Sequence, residues 1–262
     1  MRHRVAVRLE IAVQDAAGAR TAFAAGAERV ELCQALSETG GLTPSAATVD
    51  TVLDAAGRSD RVAVLVRPRP GGFVYDRAEI DLVAADVRDI VRRGAGGVVV
   101  GALRSDGRID TEAMKRWADA AEGADVVFHR AIDTLADPVA VIDELAALGI
   151  RRVLTSGGAV RSIDGLETIT ALVRRSAGRV QIMPGGGVRV DDVAAFVAAG
   201  VDAVHLSARR GSGDTAPSGP GGGSTGFDVT DPEIVTAARA AVDRAPAANQ
   251  RLPSTRPGPA RA

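Results

Sequence analysis

The sequence contains little of several residue types that particular functions require. It has one cysteine, Cys33, among 262 residues, so it cannot form an internal disulfide or a CxxC metal site. It has one lysine, Lys115, in the middle of a predicted helix. This nearly excludes Schiff-base chemistry, because that chemistry needs a lysine in a shielded pocket. Aromatic residues make up 3% of the chain, which argues against a platform for stacking nucleic-acid bases.

Charge and hydropathy exclude further classes of partner. The formal net charge is −1, so the chain as a whole has no electrostatic attraction to nucleic acid or to anionic membranes. No apolar run reaches the length of a membrane span, and the first residues lead into a strand pattern without an apolar signal region. These features predict a cytoplasmic protein with no nucleic-acid partner and no membrane partner.

Short segments rich in valine, isoleucine and leucine alternate with longer alanine-rich segments of helical periodicity. The predicted strands cover residues 5–11, 28–33, 61–66, 97–101, 125–130, 151–155, 179–183 and 201–206. The predicted helices cover residues 14–25, 44–56, 77–94, 110–121, 136–147, 163–177, 190–199 and 231–243. Eight βα units in this length predict an α/β fold of the TIM (β/α)8 barrel type. A doubly wound open sheet is the alternative, but the first strand is not followed by the GxGxxG of dinucleotide-binding sheets.

The predicted barrel is a single domain that covers residues 1–245. Residues 209–226, between the last strand and the last helix, are rich in glycine, serine and proline. This composition predicts a flexible connector, with a mobile flap over the barrel mouth as the alternative. Residues 246–262 are rich in proline and arginine and predict a disordered tail.

Alternation along each strand predicts which side chains face the barrel interior. One face of every strand must be apolar where helices cover it, and the other face fills the barrel. The polar side chains that this rule turns inward are Arg8, Glu10, Glu31, Arg67, Arg69, His129, Gln181, His205 and Ser207. Cys33, Leu65 and Met183 also face inward, whereas the direction of strand six is ambiguous because both of its faces are apolar.

Barrel active sites lie at the carboxyl ends of the strands, where several of these groups would meet. The predicted catalytic residues are Glu10, Glu31, Arg67, Arg69, His129, His205 and Asp133, the last on the loop after strand five. The alternative is a set of separate internal ion pairs, such as Glu10 with Arg8, that serve only the structure. Buried charge is expensive even when paired, so a large cluster of it favours a functional site.

Two glycine-rich loops follow predicted strands six and seven. Glycine lets backbone N–H groups turn toward an anion, and barrels commonly bind phosphate after strands seven and eight. The predicted anion-binding residues are Ser156, Gly157, Gly158, Gly185, Gly186 and Gly187. The alternative is that these glycines only permit tight turns.

The inward residues also include possible metal ligands. Glu10, Glu31, His129 and His205 have the composition of mixed carboxylate–imidazole sites for Mn²⁺ or a similar divalent metal. Cu(I) prefers thiolate and thioether ligands, for which Cys33 and Met183 are the candidates. A lone inward cysteine or methionine is more commonly an apolar filler of the core.

Seven segments resemble, in chain order, motifs of the CutC family of proposed copper homeostasis proteins. They are residues 28–33 (ERVELC), 40–45 (GGLTPS), 66–69 (VRPR), 98–103 (VVVGAL), 128–133 (FHRAID), 154–158 (LTSGG) and 182–187 (IMPGGG). The resemblance runs from about residue 8 to 208. It implies a cytoplasmic TIM-type barrel, a homo-oligomer such as a dimer, and an assignment to copper binding and copper homeostasis. It also implies Cu(I) as cofactor and Cys33 as a metal ligand.

One departure from the family pattern concerns the first strand. That strand often carries a cysteine in the family, whereas this sequence has Ala12. A two-thiolate copper site therefore cannot form within one chain. Pairing of Cys33 between two subunits would be needed to supply a second thiolate.

Three functions are compatible with these features. The first is a copper-handling protein that binds Cu(I) through Cys33. The second is a barrel enzyme, an isomerase, epimerase or lyase, acting on a small anionic or phosphorylated metabolite. In that enzyme Arg67 and Arg69 hold the anion, Glu10 or Glu31 moves a proton and His129 is the acid partner. The third, a non-catalytic scaffold, rarely needs opposed acids and bases in its interior.

Overall fold

The computed structural model describes residues 6–216, 219–220 and 226–245. Eight parallel strands form its central sheet: β1 Arg8–Val13, β2 Arg29–Leu32, β3 Val62–Leu65, β4 Gly97–Val100, β5 Asp125–Phe128, β6 Arg152–Thr155, β7 Gln181–Pro184 and β8 Ala203–Leu206. Their order in the sheet is β7-β6-β5-β4-β3-β2-β1-β8, so successive strands are neighbours and β1 also pairs with β8. This order confirms the predicted TIM-type barrel.

The helices occupy the connections between strands. They are α1 Ala16–Ala24, α2 Leu36–Thr39, α3 Ala46–Ala56, α4 Arg77–Arg92, α5 Thr111–Ala120, α6 Ile142–Ala147, α7 Leu166–Ser176, α8 Val193–Ala199 and α9 Pro232–Arg244. Short 3₁₀ helices cover Ser59–Arg61, Arg130–Thr134, Ser162–Gly165 and Val190–Asp192. None of the described helices combines the length and the apolar character that crossing a membrane requires.

Aspartate caps begin several of these helices where the sequence changes from strand to helical pattern. Asp76 accepts a hydrogen bond from the amide of Glu79 at the start of α4, and the Glu79 carboxylate accepts one from the amide of Asp76. This reciprocal arrangement satisfies two amides that the first helical turn leaves without partners. At α9, Asp231 caps the helix and Pro232 occupies its first turn.

The ring of strands is nearly closed. Within the described residues, no paired ladder joins β7 to β8. Asp202, just before β8, links them instead, because its amide donates to the Ile182 carbonyl at 3.0 Å. The Ile182 amide in turn donates to the Asp202 carboxylate at 2.8 Å.

Two separate apolar layers result from the strand alternation. The larger one lies between strands and helices and includes Leu9, Ile11 and Phe128. The smaller one fills the barrel and consists of Cys33, Ala63, Leu65, Val99, Val127, Leu154, Met183 and Ala203. The inward direction of Cys33, Leu65 and Met183 is thus confirmed, and Leu154 identifies the inward face of β6.

Several predicted elements differ from the structure. The helix predicted over residues 136–147 is reduced to α6, because Asp137 holds the amides of Val139 and Ala140 in a turn before it. The predicted connector at 209–226 begins with a strand, β9 Arg209–Gly211, which pairs antiparallel with β10 Asp228–Thr230. The predicted tail at residues 246–262 lies outside the described residues.

Candidate active site at the barrel mouth

A cavity of about 290 Å³ opens at the carboxyl ends of the strands. Its wall includes Glu31, Arg67, His129 and His205 among the residues predicted to be catalytic. Cys33, Gly186 and Gly187 also line it. Residues far apart in the sequence therefore meet at the end of the barrel where βα-barrel enzymes carry their active sites.

The most closely packed ionisable group consists of Glu10, Glu31 and His205. The Nδ1 of His205 lies 2.9 Å from Glu10 Oε1 and 3.5 Å from Glu31 Oε2. Glu10 and Glu31 are 1% and 6% exposed, so both carboxyl groups are held out of bulk water. One ligand atom from each residue can be chosen so that all three lie within 4.8 Å of one another.

Two buried arginines below this group were not predicted from the sequence. Arg29 forms an ion pair with Glu10, and Arg152 bonds to the Gln181 side chain at 2.7 Å. The signal for Arg29 was present, because alternation along β2 places it on the same face as Glu31 and Cys33. The signal for Arg152 was hidden by the ambiguity of strand six. Burial is the main reason why the pKa of Arg152 falls to about 10.

The two glutamates differ in ionisation. Burial alone would raise the pKa of Glu10, but Arg29 and the hydrogen bond from His205 outweigh it and hold that pKa far below its usual value. Burial raises the pKa of Glu31 to about 7, and the charge of Glu10 adds to this effect while His205 opposes it. Glu10 is therefore a permanent anion, and Glu31 can gain or lose a proton near neutral pH.

His205 lies between these carboxyl groups. Burial opposes its protonation, but the hydrogen bond to Glu10 and the charge of Glu31 outweigh it and raise the pKa of His205 above its usual value. Its Nδ1 is bonded to Glu10 and lies beside Glu31.

His129 lies elsewhere in the cavity wall, outside the three-residue group, so the predicted four-ligand metal site is wrong in this respect. It directly follows β5, and Gly101 makes room for it: a Cβ there would lie 2.5 Å from the imidazole. Its Nδ1 accepts a hydrogen bond from the Ala131 amide at 3.2 Å, while its buried Nε2 has no partner among the described residues. Burial, and then the nearby Arg67, lower the pKa of His129 to about 3, so the ring is neutral.

The two arginines that follow β3 have different positions. Arg67 is 8% exposed and lines the cavity, and its guanidinium donates to the carbonyls of Thr39, Gly41 and Gly71. Its buried Nε has no partner among the described residues. The predicted inward direction of Arg69 is wrong: its side chain is 38% exposed and pairs with Glu79. Both residues lie beyond the end of β3, where strand alternation no longer fixes direction.

Arg8 also departs from prediction, because it is exposed at the amino end of β1 and makes no pair with Glu10. The buried partner of Glu10 is Arg29. Gln181 is half-buried and Ser207 lines the cavity. The inward rule is thus accurate in the middle of the strands and loses accuracy at their ends.

Asp133 organises the loop after β6. Its carboxylate accepts hydrogen bonds from the Thr155 hydroxyl at 2.5 Å and from the Ser156 hydroxyl at 2.9 Å. It also accepts from the amides of Ser156, at 2.9 and 3.0 Å, and Gly158, at 3.3 Å. Arg130 pairs with it at 2.9 Å. The sequence predicts that the amides of Ser156 and Gly158 bind an external anion. In the structure they are occupied by the Asp133 carboxylate. The Gly157 amide donates to the Thr155 hydroxyl at 2.9 Å.

The loop after β7 has a different arrangement. The amide of Gly185 donates to the Thr155 carbonyl at 2.9 Å. Gly186 and Gly187 follow with φ angles of +107° and +64°, which allow the backbone to turn at the edge of the cavity. Arg130 packs against Gly186, and Arg130 and Arg209 both line the cavity.

The family model described as the CutC family matches residues 7–210 of this chain. The chain belongs to the CutC family. A CutC family protein from Xanthomonas campestris pv. campestris is 46% identical over 202 residues, which cover 77% of this chain and 83% of that protein. The crystal structure of CutC from Streptococcus agalactiae, described as a proposed copper homeostasis protein, superposes with a TM-score of 0.71. It has 32% identity and covers 77% of this chain and 98% of its own.

Similarity beyond the CutC family is a similarity of fold. Thiamine phosphate pyrophosphorylase from Pyrococcus furiosus superposes with a TM-score of 0.57 at 15% identity, covering 92% of this chain and 98% of its own. At this identity, the comparison supports the barrel architecture alone.

Cu(I) binding requires soft sulfur ligands, and the cavity of this CutC family member contains few of them. Cys33 lines the cavity, as does Ala12, but burial and the charge of Glu31 raise the pKa of the Cys33 thiol well above its usual value. The Met183 sulfur accepts a hydrogen bond from Arg29 at 3.7 Å. Cys33 is 1% exposed inside the barrel, so two subunits cannot bring their Cys33 thiols together. This set of donors does not fit a Cu(I) site.

The ligand types that suit a divalent metal ion are present in this member of the CutC family. Glu10, Glu31 and His205 offer two carboxylates and one imidazole, the donor types that such ions accept. Glu10 is already neutralised by Arg29 and bonded to His205. An ion could bind only after replacing the hydrogen bond between His205 and Glu10.

Proposed function

We propose that the barrel mouth is an enzyme active site that moves a proton within a small anionic metabolite. The observation that carries this proposal is the Glu31 carboxyl group. It is buried in the cavity wall, and its pKa is about 7. The Nδ1 of His205, which is bonded to Glu10, lies 3.5 Å from Glu31 Oε2. A carboxyl group with a pKa near the working pH can both take and return a proton, which is what general acid–base catalysis requires.

The remaining groups have complementary tasks. Glu31 takes a proton from a carbon next to a substrate carbonyl, and the electron pair of the broken C–H bond moves onto the carbonyl oxygen. His129 is neutral, and its Nδ1 accepts a hydrogen bond, so its proton is on Nε2. That N–H has no partner among the described residues and can stabilise the developing charge. Glu31 then returns the proton to the same or a neighbouring carbon.

The charges around the cavity favour an anionic substrate. Arg67, Arg130 and Arg209 line it, and Glu31 is the one acidic residue among the described lining residues. Arg130 and Arg209 each pair with an aspartate outside this lining, whereas the described hydrogen bonds of Arg67 are to backbone carbonyls. Isomerase, epimerase and lyase reactions proceed through such a proton transfer. The described lining residues include no lysine, and such a proton transfer can proceed without a Schiff base.

Deuterium exchange tests this function without knowledge of the natural product. The protein is incubated in D₂O with a panel of small carboxylated and phosphorylated carbonyl compounds, and NMR detects replacement of C–H by C–D. We expect exchange with the wild type and with Glu167→Gln, whose glutamate lies on α7 away from the cavity, and loss of exchange with Glu31→Gln. A measured Glu31 pKa close to 4.5 would remove the basis of the proposal.

Copper binding is the second candidate, because Cys33 lines the cavity and a structural relative is described as a proposed copper homeostasis protein. With one thiol of raised pKa, we expect weak affinity for Cu(I). Titration of the wild type and Cys33→Ala with Cu(I) tests this candidate. Equal affinities would eliminate Cys33 as a ligand.

A further inference from the structure

Backbone donors at the edge of the cavity have no acceptor. Among the described residues, no hydrogen bond uses the amide N–H of Gly186, Gly187 or Val188, although all three residues line the cavity. The preceding amide, that of Gly185, is occupied by the Thr155 carbonyl. Three consecutive amides at one turn thus have no acceptor among the described residues, and Gly187 is exposed while its two neighbours are half-buried, so a ligand in the cavity can replace water at these amides.

Arg130 supplies a charge next to this turn. Its Nε donates to Asp133 at 2.9 Å and its Nη2 to the Ser156 hydroxyl at 3.1 Å, so the guanidinium is held from one side. The guanidinium packs against the turn, since a Cβ on Gly186 would lie 2.9 Å from both its Cζ and its Nη1, and no described residue accepts a hydrogen bond from Nη1. The side chain is 44% exposed and lines the cavity, so this remaining edge is accessible.

Two other side chains of the cavity wall have polar atoms without a partner among the described residues. Arg67 and His129, both more than nine-tenths buried, line the same cavity. Arg67 Nε and His129 Nε2 have no acceptor within the part of the chain that the structure describes. Buried donors without acceptors are rare in folded proteins, and where they face a cavity they indicate a place for a bound molecule.

We infer that the Gly186–Val188 turn and Arg130 bind the phosphate of a small phosphomonoester, whose carbon end extends to Glu31. Three amides and a guanidinium edge match the three terminal oxygens of a phosphate better than the two oxygens of a carboxylate. A cavity of about 290 Å³ limits the rest of the molecule to a small metabolite. This inference names the substrate class for the proposed proton transfer and depends on that function only for the position of the carbon end.

Inorganic phosphate is the probe for the subsite. The full-length protein, labelled with ¹⁵N, is titrated with phosphate, and amide shifts are followed by NMR. We expect saturable shifts at Gly186, Gly187 and Val188, and weaker shifts with acetate, which has two oxygens. No saturable shift at these amides, or saturation only at other surfaces, would overturn the inference.

Arg130→Gln and Arg116→Gln form a matched pair of variants. Both arginines pair with an aspartate, and their side chains are 44% and 50% exposed, but Arg116 pairs with Asp81 and does not line the cavity. We expect Arg130→Gln to weaken phosphate binding about tenfold or more, because a charged hydrogen bond is lost, and Arg116→Gln to bind as the wild type does. Slow hydrogen exchange at the Ser156 and Gly158 amides, as in the wild type, would show that the loop after β6 remains folded in Arg130→Gln. Equal phosphate affinity of Arg130→Gln and wild type would contradict the role of Arg130.

Glu31→Gln separates this inference from the proposed function. That variant should lose deuterium exchange yet bind phosphate as the wild type does, because Glu31 is not part of the subsite. If the wild type binds phosphate at the Gly186–Val188 turn but exchanges no proton, the proposed function fails and the subsite stands. If exchange occurs without phosphate binding at this turn, the inference fails and the function stands.

Discussion

Glu10 and Glu31 share His205, yet their pKa values move in opposite directions. They lie on the neighbouring strands β1 and β2, and the imidazole Nδ1 is 2.9 Å from one carboxylate and 3.5 Å from the other. Glu10 alone pairs directly with Arg29, which fixes it as an anion, whereas burial dominates at Glu31. One carboxylate therefore supports the imidazole and the other is available to move protons.

The raised pKa of Glu31 predicts a pH dependence of stability. Between pH 4.5 and about 7, the folded protein keeps a proton that the unfolded chain has lost, so stability falls as pH rises through this window and is level above it. Glu31→Gln removes this dependence. Its free energy of unfolding relative to wild type should increase by roughly 3 kcal/mol from pH 4.5 to pH 8, measured by urea denaturation at each pH. Parallel curves for the two proteins would show that Glu31 ionises normally.

The two described histidines should titrate very differently. The pKa of His129 is about 3 and that of His205 is above 6.5, because only His205 has carboxylate partners. We expect the ring signals of His129 to stay constant from pH 5 to pH 8 in an NMR titration, while those of His205 titrate with a midpoint above the usual value for histidine. The His129→Gln variant assigns the signals. A shift of the His129 signals within this range would indicate a solvated ring and would remove its role as a neutral donor.

Replacing Asp133 should destabilise the barrel mouth. Asp133→Asn loses the negative charge and replaces one acceptor oxygen by an NH₂ group, beside the Ser156 and Gly158 amides and the Arg130 guanidinium, which can only donate. We expect a loss of about 2–4 kcal/mol in the free energy of unfolding. Asp137→Asn is the control, since Asp137 accepts two exposed turn amides and should cost about 1 kcal/mol or less. Similar losses for the two variants would mean that the Asp133 network adds little.

Restoring a second thiol should change the response to copper. Ala12 and Cys33 line the same cavity, so Ala12→Cys would place two thiols within it. We expect the affinity for Cu(I) to rise by about tenfold or more, because soft thiolates are the ligands that Cu(I) prefers. Competition with a Cu(I) chelator measures the change, and Ala12→Ser is the control of similar size. No difference between the two variants would show that the cavity cannot hold a copper ion between these positions.

Sequence patterning was sufficient for the fold and for the middle of the strands other than β6. Eight apolar segments at regular spacing define the barrel, and alternation correctly placed Glu10, Glu31 and Cys33 in its interior. These positions follow from a rule with a period of two residues, which needs no knowledge of the neighbouring strands.

The contacts beyond the strand ends could not be predicted in this way. Arg69 leaves the interior because the chain has already left β3, and Asp133 fills the loop after β6 because a 3₁₀ helix brings it there. Which arginine pairs with Glu10 depends on the register between β1 and β2, where Glu10 lies opposite Arg29. A single sequence read strand by strand contains no information on that register.

The missing ladder between β7 and β8 has a consequence for motion. Every other pair of adjacent strands is joined by a parallel ladder of backbone hydrogen bonds. Between β7 and β8, the described hydrogen bonds are the two that join Asp202 to Ile182. Local opening costs least where few interstrand bonds must break, so amide hydrogen exchange should begin at this junction. Gly185 and His205 flank the junction of β7 and β8. Local opening there would widen the entrance through which a small molecule reaches the barrel.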